Sequence, residues 1–160
     1  MDLSVHEPLI RRTLVLAQAA RDKNNHPFGA LLVGPADQVL LEAENTVVTE
    51  SDCTAHAELR LVRQASQQYS AAFLATCTLY SSTEPCPMCA GGIFWANLRR
   101  VVFGLSEKGL YQITGPAEML SLPSRQLFAQ GSKAIEVIGP LLESEARQVH
   151  LGFWGAENES

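Results

Sequence analysis

Lysine is scarce in this chain of 160 residues: only Lys23, Lys108 and Lys133 occur, and the net charge is −5. The only adjacent basic pairs are Arg11-Arg12 and Arg99-Arg100. Affinity for a phosphate backbone comes from clustered Lys and Arg, so this balance argues against a large nucleic-acid footprint. Four cysteines are too few for a disulfide scaffold. No apolar run approaches the ~20 residues of a membrane span. Met1-Asp2-Leu3-Ser4 lacks the charged and apolar stretches of a secretory signal. No membrane partner and a cytoplasmic address are therefore expected. There is no internal repeat, low-complexity tract or linker-like shift, so residues 1–160 are expected to form one domain.

What is present is an ordinary globular composition, 46% apolar and 18% charged. Residues 6–23 carry Leu9, Ile10, Leu14, Ala17 and Ala20 near helical spacing. Asn24-Asn25-His26-Pro27 breaks that helix. Residues 28–33 and 39–43 read as strands joined by the turn Gly34-Pro35-Ala36-Asp37, a hairpin. A helix is expected from about Ala55 to Gln67, with Thr54 or Asp52 as N-cap. Strands follow at 77–81, 100–104 and 134–138, with helices at 87–97 and 141–150. The stretch 106–131 has poor periodicity and takes no assignment. A hairpin followed by alternating strand and helix predicts an α/β fold, a five-stranded mixed sheet with helices on both faces.

Two short segments carry the chemistry. His56-Ala57-Glu58 is followed about thirty residues later by Pro85-Cys86-Pro87-Met88-Cys89. His56, Cys86 and Cys89 are good zinc ligands, and three protein ligands leave a fourth tetrahedral position open, as in catalytic sites. Pro87 suits the first helical position, which makes Cys86 the N-cap and Cys89 the third residue. The two thiols then share one edge of a first turn, where the helix end favours thiolate. His56 and Glu58, two apart, meet one ion only if both lie in a first helical turn with the metal off the helix end. Glu58 is the candidate proton carrier. A different class of site stays open: Cys53 and His56 are spaced C-x-x-H, and with Cys86 and Cys89 they would make a closed Cys₃His structural zinc site.

His-x-Glu with Pro-Cys-x-x-Cys is the signature of zinc deaminases. Pro27-Phe28-Gly29-Ala30, Asn45, Thr54-Ala55-His56-Ala57-Glu58, Glu84-Pro85-Cys86-Pro87-Met88-Cys89 and Val101-Val102-Phe103-Gly104 together resemble the cytidine/deoxycytidylate deaminase superfamily. Within it the chain looks most like guanine deaminases and tRNA adenosine deaminases. The resemblance implies a three-layer α/β/α sandwich, Zn²⁺ on His56, Cys86 and Cys89, and Glu58 as catalytic proton shuttle. It implies substrate contacts from Phe28, Asn45, Ala57 and Trp95, with Phe28 walling the base and Asn45 bonding it. It implies a homodimer acting on a free nucleobase, guanine first and an isocytosine-like ring next. The alternative is a tRNA adenosine deaminase. Guanine deaminases carry an acidic residue after the fourth strand; Glu107 is the candidate here. Their C-terminal tail closes a pocket, and Phe153-Trp154 supplies aromatics in a similar place.

Overall fold

The computed structural model describes residues 2–115 and 119–155. After a short 3-10 turn (Leu3–His6) the elements run α1 (Glu7–Asp22), β1 (Gly29–Val33), β2 (Val39–Glu44), α2 (Val47–Glu50), α3 (Ala57–Gln68) and α4 (Ala71–Leu74). There follow β3 (Thr78–Thr83), α5 (Pro87–Trp95), β4 (Arg100–Leu105), α6 (Glu107–Thr114), α7 (Ser124–Ala129), β5 (Glu136–Ile138) and α8 (Glu143–Gln148).

The sheet order is β2-β1-β3-β4-β5. β1 pairs antiparallel with both β2 and β3. β3, β4 and β5 are parallel. This is the mixed five-stranded sheet of the expected α/β/α sandwich. Strand alternation divides the core. Ala30, Leu32, Leu79 and Val101 point to the layer of α3 and α5, meeting Ala57, Leu61, Ala90 and Ile93. Leu31, Val33, Tyr80 and Val102 point the other way, against Ile10 of α1. Leu14, Ala17, Leu105, Ala146 and Val149 extend that second layer to α8. Gly29 lets α1 lie close to the sheet. A Cβ there would stand 2.5 Å from the Thr13 carbonyl oxygen and 2.8 Å from the Ala17 nitrogen.

The N-cap expectation for the third helix needs correction. α3 begins at Ala57, and its N-cap is His56, with extended φ/ψ of −65° and 147°. Asp52 Oδ1 instead accepts the backbone N–H and the hydroxyl of Thr54, at 2.8 and 2.7 Å. That local turn competes with helix capping, as short polar side chains commonly do. The stretch left unassigned holds α6 and α7. α2 and α4 are one-turn pieces too short to leave a periodic signal.

The last described turn folds back on the start of the sheet. Arg21 donates to the carbonyls of Val149 and Leu151, both at 2.8 Å. His150 is fully buried. Its Nδ1 accepts the Trp154 indole N–H at 3.2 Å, so the neutral ring carries its proton on Nε2, 3.5 Å from the Thr83 hydroxyl. Phe28 lies against both His150 and Trp154, with centroids at 5.3 and 6.0 Å.

Burial, then the Arg21 charge, hold the His150 pKa down from 6.5 to about 4. As pH falls below 6.5 the unfolded chain takes up a proton that the folded chain refuses until about 4. Stability is therefore full above that window and falls within it, by about 1 kcal/mol per pH unit. Urea unfolding of His150→Gln, measured between pH 7 and 4 beside the wild type, is expected to show a shallower acid limb.

Candidate active site

β3 and β4 are adjacent and parallel, so their carboxyl ends open on the same side of the sheet. Loops beyond such ends hold the sites of α/β sheets. β3 leads directly into Glu84-Pro85-Cys86. Cys86 is the N-cap of α5 with Pro87 in the first turn, as its sequence demands. α3 starts on the neighbouring loop with His56 at its own N-cap. The two helix starts converge.

His56 Nδ1 lies 3.5 Å from Cys86 Sγ and 3.5 Å from Cys89 Sγ. The three ligand atoms lie within 4.8 Å of one another, and among the described residues they form the one group of this kind. Zn–S and Zn–N bonds at a tetrahedral angle would separate N from S by roughly 3.5 Å. The donor set fits zinc in both chemistry and spacing. Cys53 is exposed and stands outside the group. A closed Cys₃His arrangement is not what the chain builds.

Glu58 is the second residue of α3 and is buried. Its Oε1 accepts the Ser81 hydroxyl at 2.7 Å, and its Oε2 lies 3.7 Å from Cys89 Sγ. Burial, reinforced by the Cys86 charge, raises its pKa above the ordinary carboxylate range. Cys86 is drawn down to about 4 by the hydrogen bond from Cys89, while that same bond and burial push Cys89 up. His56 is raised by its bond to Cys86. A divalent cation would displace the remaining protons, the usual linkage of metal binding to ionisation.

Around this centre, Asn45 N–H donates to the Phe28 carbonyl (3.1 Å) and Thr46 N–H to the Ala55 carbonyl (3.0 Å). These bonds set Phe28 and Asn45 beside the segment that delivers His56. Ala57, fully buried, follows His56 in the chain. Trp95 is not brought to this centre. It stands at the far end of α5, 81% exposed, touching the Phe94 ring edge-on at 5.1 Å.

Glu107 is buried at the start of α6. Its Oε1 accepts the Leu122 N–H (3.1 Å) and the Tyr111 hydroxyl (3.2 Å). Burial raises the Glu107 pKa, and Tyr111 is pushed up to about 12, first by burial and then by Glu107. Sequence reasoning gave no role to Ser81, Glu84 or Tyr111. Ser81 carries a readable signal, since a polar residue on the inward face of a central strand requires a partner.

Residues 3–105 match the model of the cytidine and deoxycytidylate deaminase zinc-binding region. A probable cytosine deaminase of Schizosaccharomyces pombe is 43% identical over 148 residues, covering 91% of this chain and 90% of the relative. A guanine deaminase of Bacillus subtilis is 35% identical over 134 residues, covering 76% and 85%. A solved tRNA:A34 deaminase superposes with a TM-score of 0.68 at 30% identity, covering 86% of this chain and 94% of that one. The chain belongs to the cytidine and deoxycytidylate deaminase family, whose members are zinc-dependent hydrolytic deaminases acting on nucleobases or nucleosides.

Proposed function

We propose that this protein deaminates a free nucleobase carrying both an amino and an oxo group. Guanine and cytosine are the leading rings, and an isocytosine-like ring comes next. One observation carries the nucleobase reading. Asn45 is 1% exposed, and its Nδ2 has no hydrogen-bond partner among the described residues. Val47 N–H donates to Asn45 Oδ1 at 3.0 Å, which fixes the oxygen and leaves the NH₂ as the outstanding donor. A buried unmet donor costs about 1–3 kcal/mol unless an acceptor reaches it. A ring oxo group or an unprotonated ring nitrogen is such an acceptor, and guanine, cytosine and isocytosine offer both. The relatives named as cytosine and guanine deaminases support the same class. The scarcity of lysine supports a small substrate over tRNA. Low cysteine usage supports a cytoplasmic setting.

His56, Cys86 and Cys89 would hold the zinc, two thiolates and a neutral imidazole balancing its charge. When bound, the ion supplies the Lewis acidity that activates water near neutral pH. The protein's own part is proton transfer and placement. Ser81 donates to Glu58 Oε1 and so steadies the carboxyl. Glu58 takes a proton from the attacking water and gives it to a ring nitrogen as the carbon–oxygen bond forms. It then delivers the second proton to the departing amino nitrogen as the carbon–nitrogen bond breaks. Water is consumed, ammonia leaves, and the ring keeps an oxo group. Phe28 walls the base, Asn45 donates to its oxygen, and Ala57 lines the floor between His56 and Glu58.

Glu58→Gln should retain one zinc per chain and lose about 10²–10⁴-fold in turnover. Wild-type-like turnover in that variant would remove the shuttle. Ammonia release from guanine, cytosine, isocytosine, adenine, their nucleosides and a tRNA anticodon stem-loop tests the substrate. Activity confined to the stem-loop would end the free-base reading.

The chain acts as a homodimer through the exposed side of α5. That helix, PMCAGGIFW, has no charged residue. A helix apolar all round is normally covered on all sides. Trp95 projects beside a hollow of about 220 Å³ lined by Gly91, Phe94, Leu127 and Phe128. Gly91 leaves open space where a side chain would stand. A projecting ring next to a hollow on one face is self-complementary under a two-fold axis. Trp95→Glu should sediment as a monomer where the wild type sediments as a dimer. A wild-type monomer at tens of micromolar would refute this.

A further inference from the structure

Glu84 lies between the end of β3 and Cys86, and the chemistry above makes no use of it. Its N–H donates to the Leu105 carbonyl at the end of β4, 2.7 Å away. Its carboxylate gathers three donors. Oε2 accepts the N–H of Glu107, the first residue of α6, at 2.9 Å. Oε1 accepts both the N–H and the hydroxyl of Ser124, the first residue of α7, each at 2.8 Å. First-turn N–H groups have no partner within their own helix. A carboxylate is a strong acceptor for them. Ser124 is 1% exposed, so in the folded chain the Glu84 carboxylate takes the place of water at its donors.

A second carboxylate continues the tie. Glu107 Oε1 holds the Leu122 N–H and the Tyr111 hydroxyl, closing the chain between α6 and α7 onto itself. Glu84, Glu107, Lys108, Tyr111 and Pro123 line a cavity of about 510 Å³. Glu84 stands two residues before Cys86, so its bonds to Glu107 and Ser124 bring this wall up to the metal loop. Glu107 Oε2 makes no hydrogen bond among the described residues.

We propose that Glu84 is a positioning residue that fixes the α6–α7 wall against the metal loop and thereby sets how tightly the site holds its base. It touches neither the base nor the ion. It acts through Glu107 and Tyr111. The hold on a base rests on the nucleobase reading; the coupling of wall to loop does not.

The test uses the zinc-loaded full chain, with Glu84→Ala and Glu84→Gln beside the wild type. Amide hydrogen exchange is read at the starts of α6 and α7. Glu84→Ala should lose protection at both, while β3 and β4 keep theirs and zinc stays at one per chain. Glu84→Gln keeps one acceptor oxygen and turns an NH₂ toward the other donors, so it should free one helix start and hold the other. If the alanine variant fails to fold, the glutamine variant carries the test alone. For whichever base of the panel the wild type converts, KM should rise about tenfold in Glu84→Ala with a smaller change in kcat, the loss of a charged hydrogen bond. Unchanged protection at both helix starts would overturn the proposal. So would a loss spread over the whole sheet, or loss of zinc in either variant. A panel with no active base would sink the nucleobase reading. The exchange and zinc measurements would still decide the role of Glu84.

Discussion

Two helix starts aimed at one point are what the rest of this structure serves. His56 is the N-cap of α3 and Cys86 the N-cap of α5. Parallel pairing of β3 with β4 opens the loop that feeds α5. The antiparallel β1–β2 hairpin ends near the loop that feeds α3. Gly29 lets α1 press on that hairpin from the opposite face. Shift either helix start and the 3.5 Å spacings of Nδ1 to both sulfurs are lost. Helix N-termini favour anionic ligands, and Cys86 at the start of α5 is the thiol held low.

The same convergence buries Glu58. A carboxyl out of water is costly unless it is paired or protonated. Ser81, fully buried on β3, supplies the hydrogen bond. Burial supplies the upward pKa shift. Sheet, helix start and proton carrier thus depend on one another. The aromatic layer formed by Phe28, His150 and Trp154 closes the adjacent edge with rings in place of charges.

Much of this was legible in the sequence, for local reasons. Pro87 after Cys86 announces a helix start, and strand alternation announces the sheet. His56 to Glu58 spacing makes sense only off a helix end, and α3 begins there. What escaped depends on long-range contacts. Glu84 holds Glu107 and Ser124 from 23 and 40 residues away. No window along the chain contains that. In the stretch left unassigned, α6 and α7 are only eight and six residues long; Leu110 and Ile113 do pack on the layer of α8, but so short a pattern is hard to read along the chain. Trp95 is a similar case. Its neighbours suggest a pocket, yet its position on α5 puts it on the surface.

One imidazole and two thiols form an open set of three protein ligands beside a buried carboxyl. Zinc-edge X-ray absorption of the metal-loaded protein measures that set directly. Two sulfur scatterers are expected at about 2.3 Å and two lighter ones near 2.0–2.1 Å, one of the latter from outside the protein. Three sulfur scatterers, with Cys53 recruited, would contradict it.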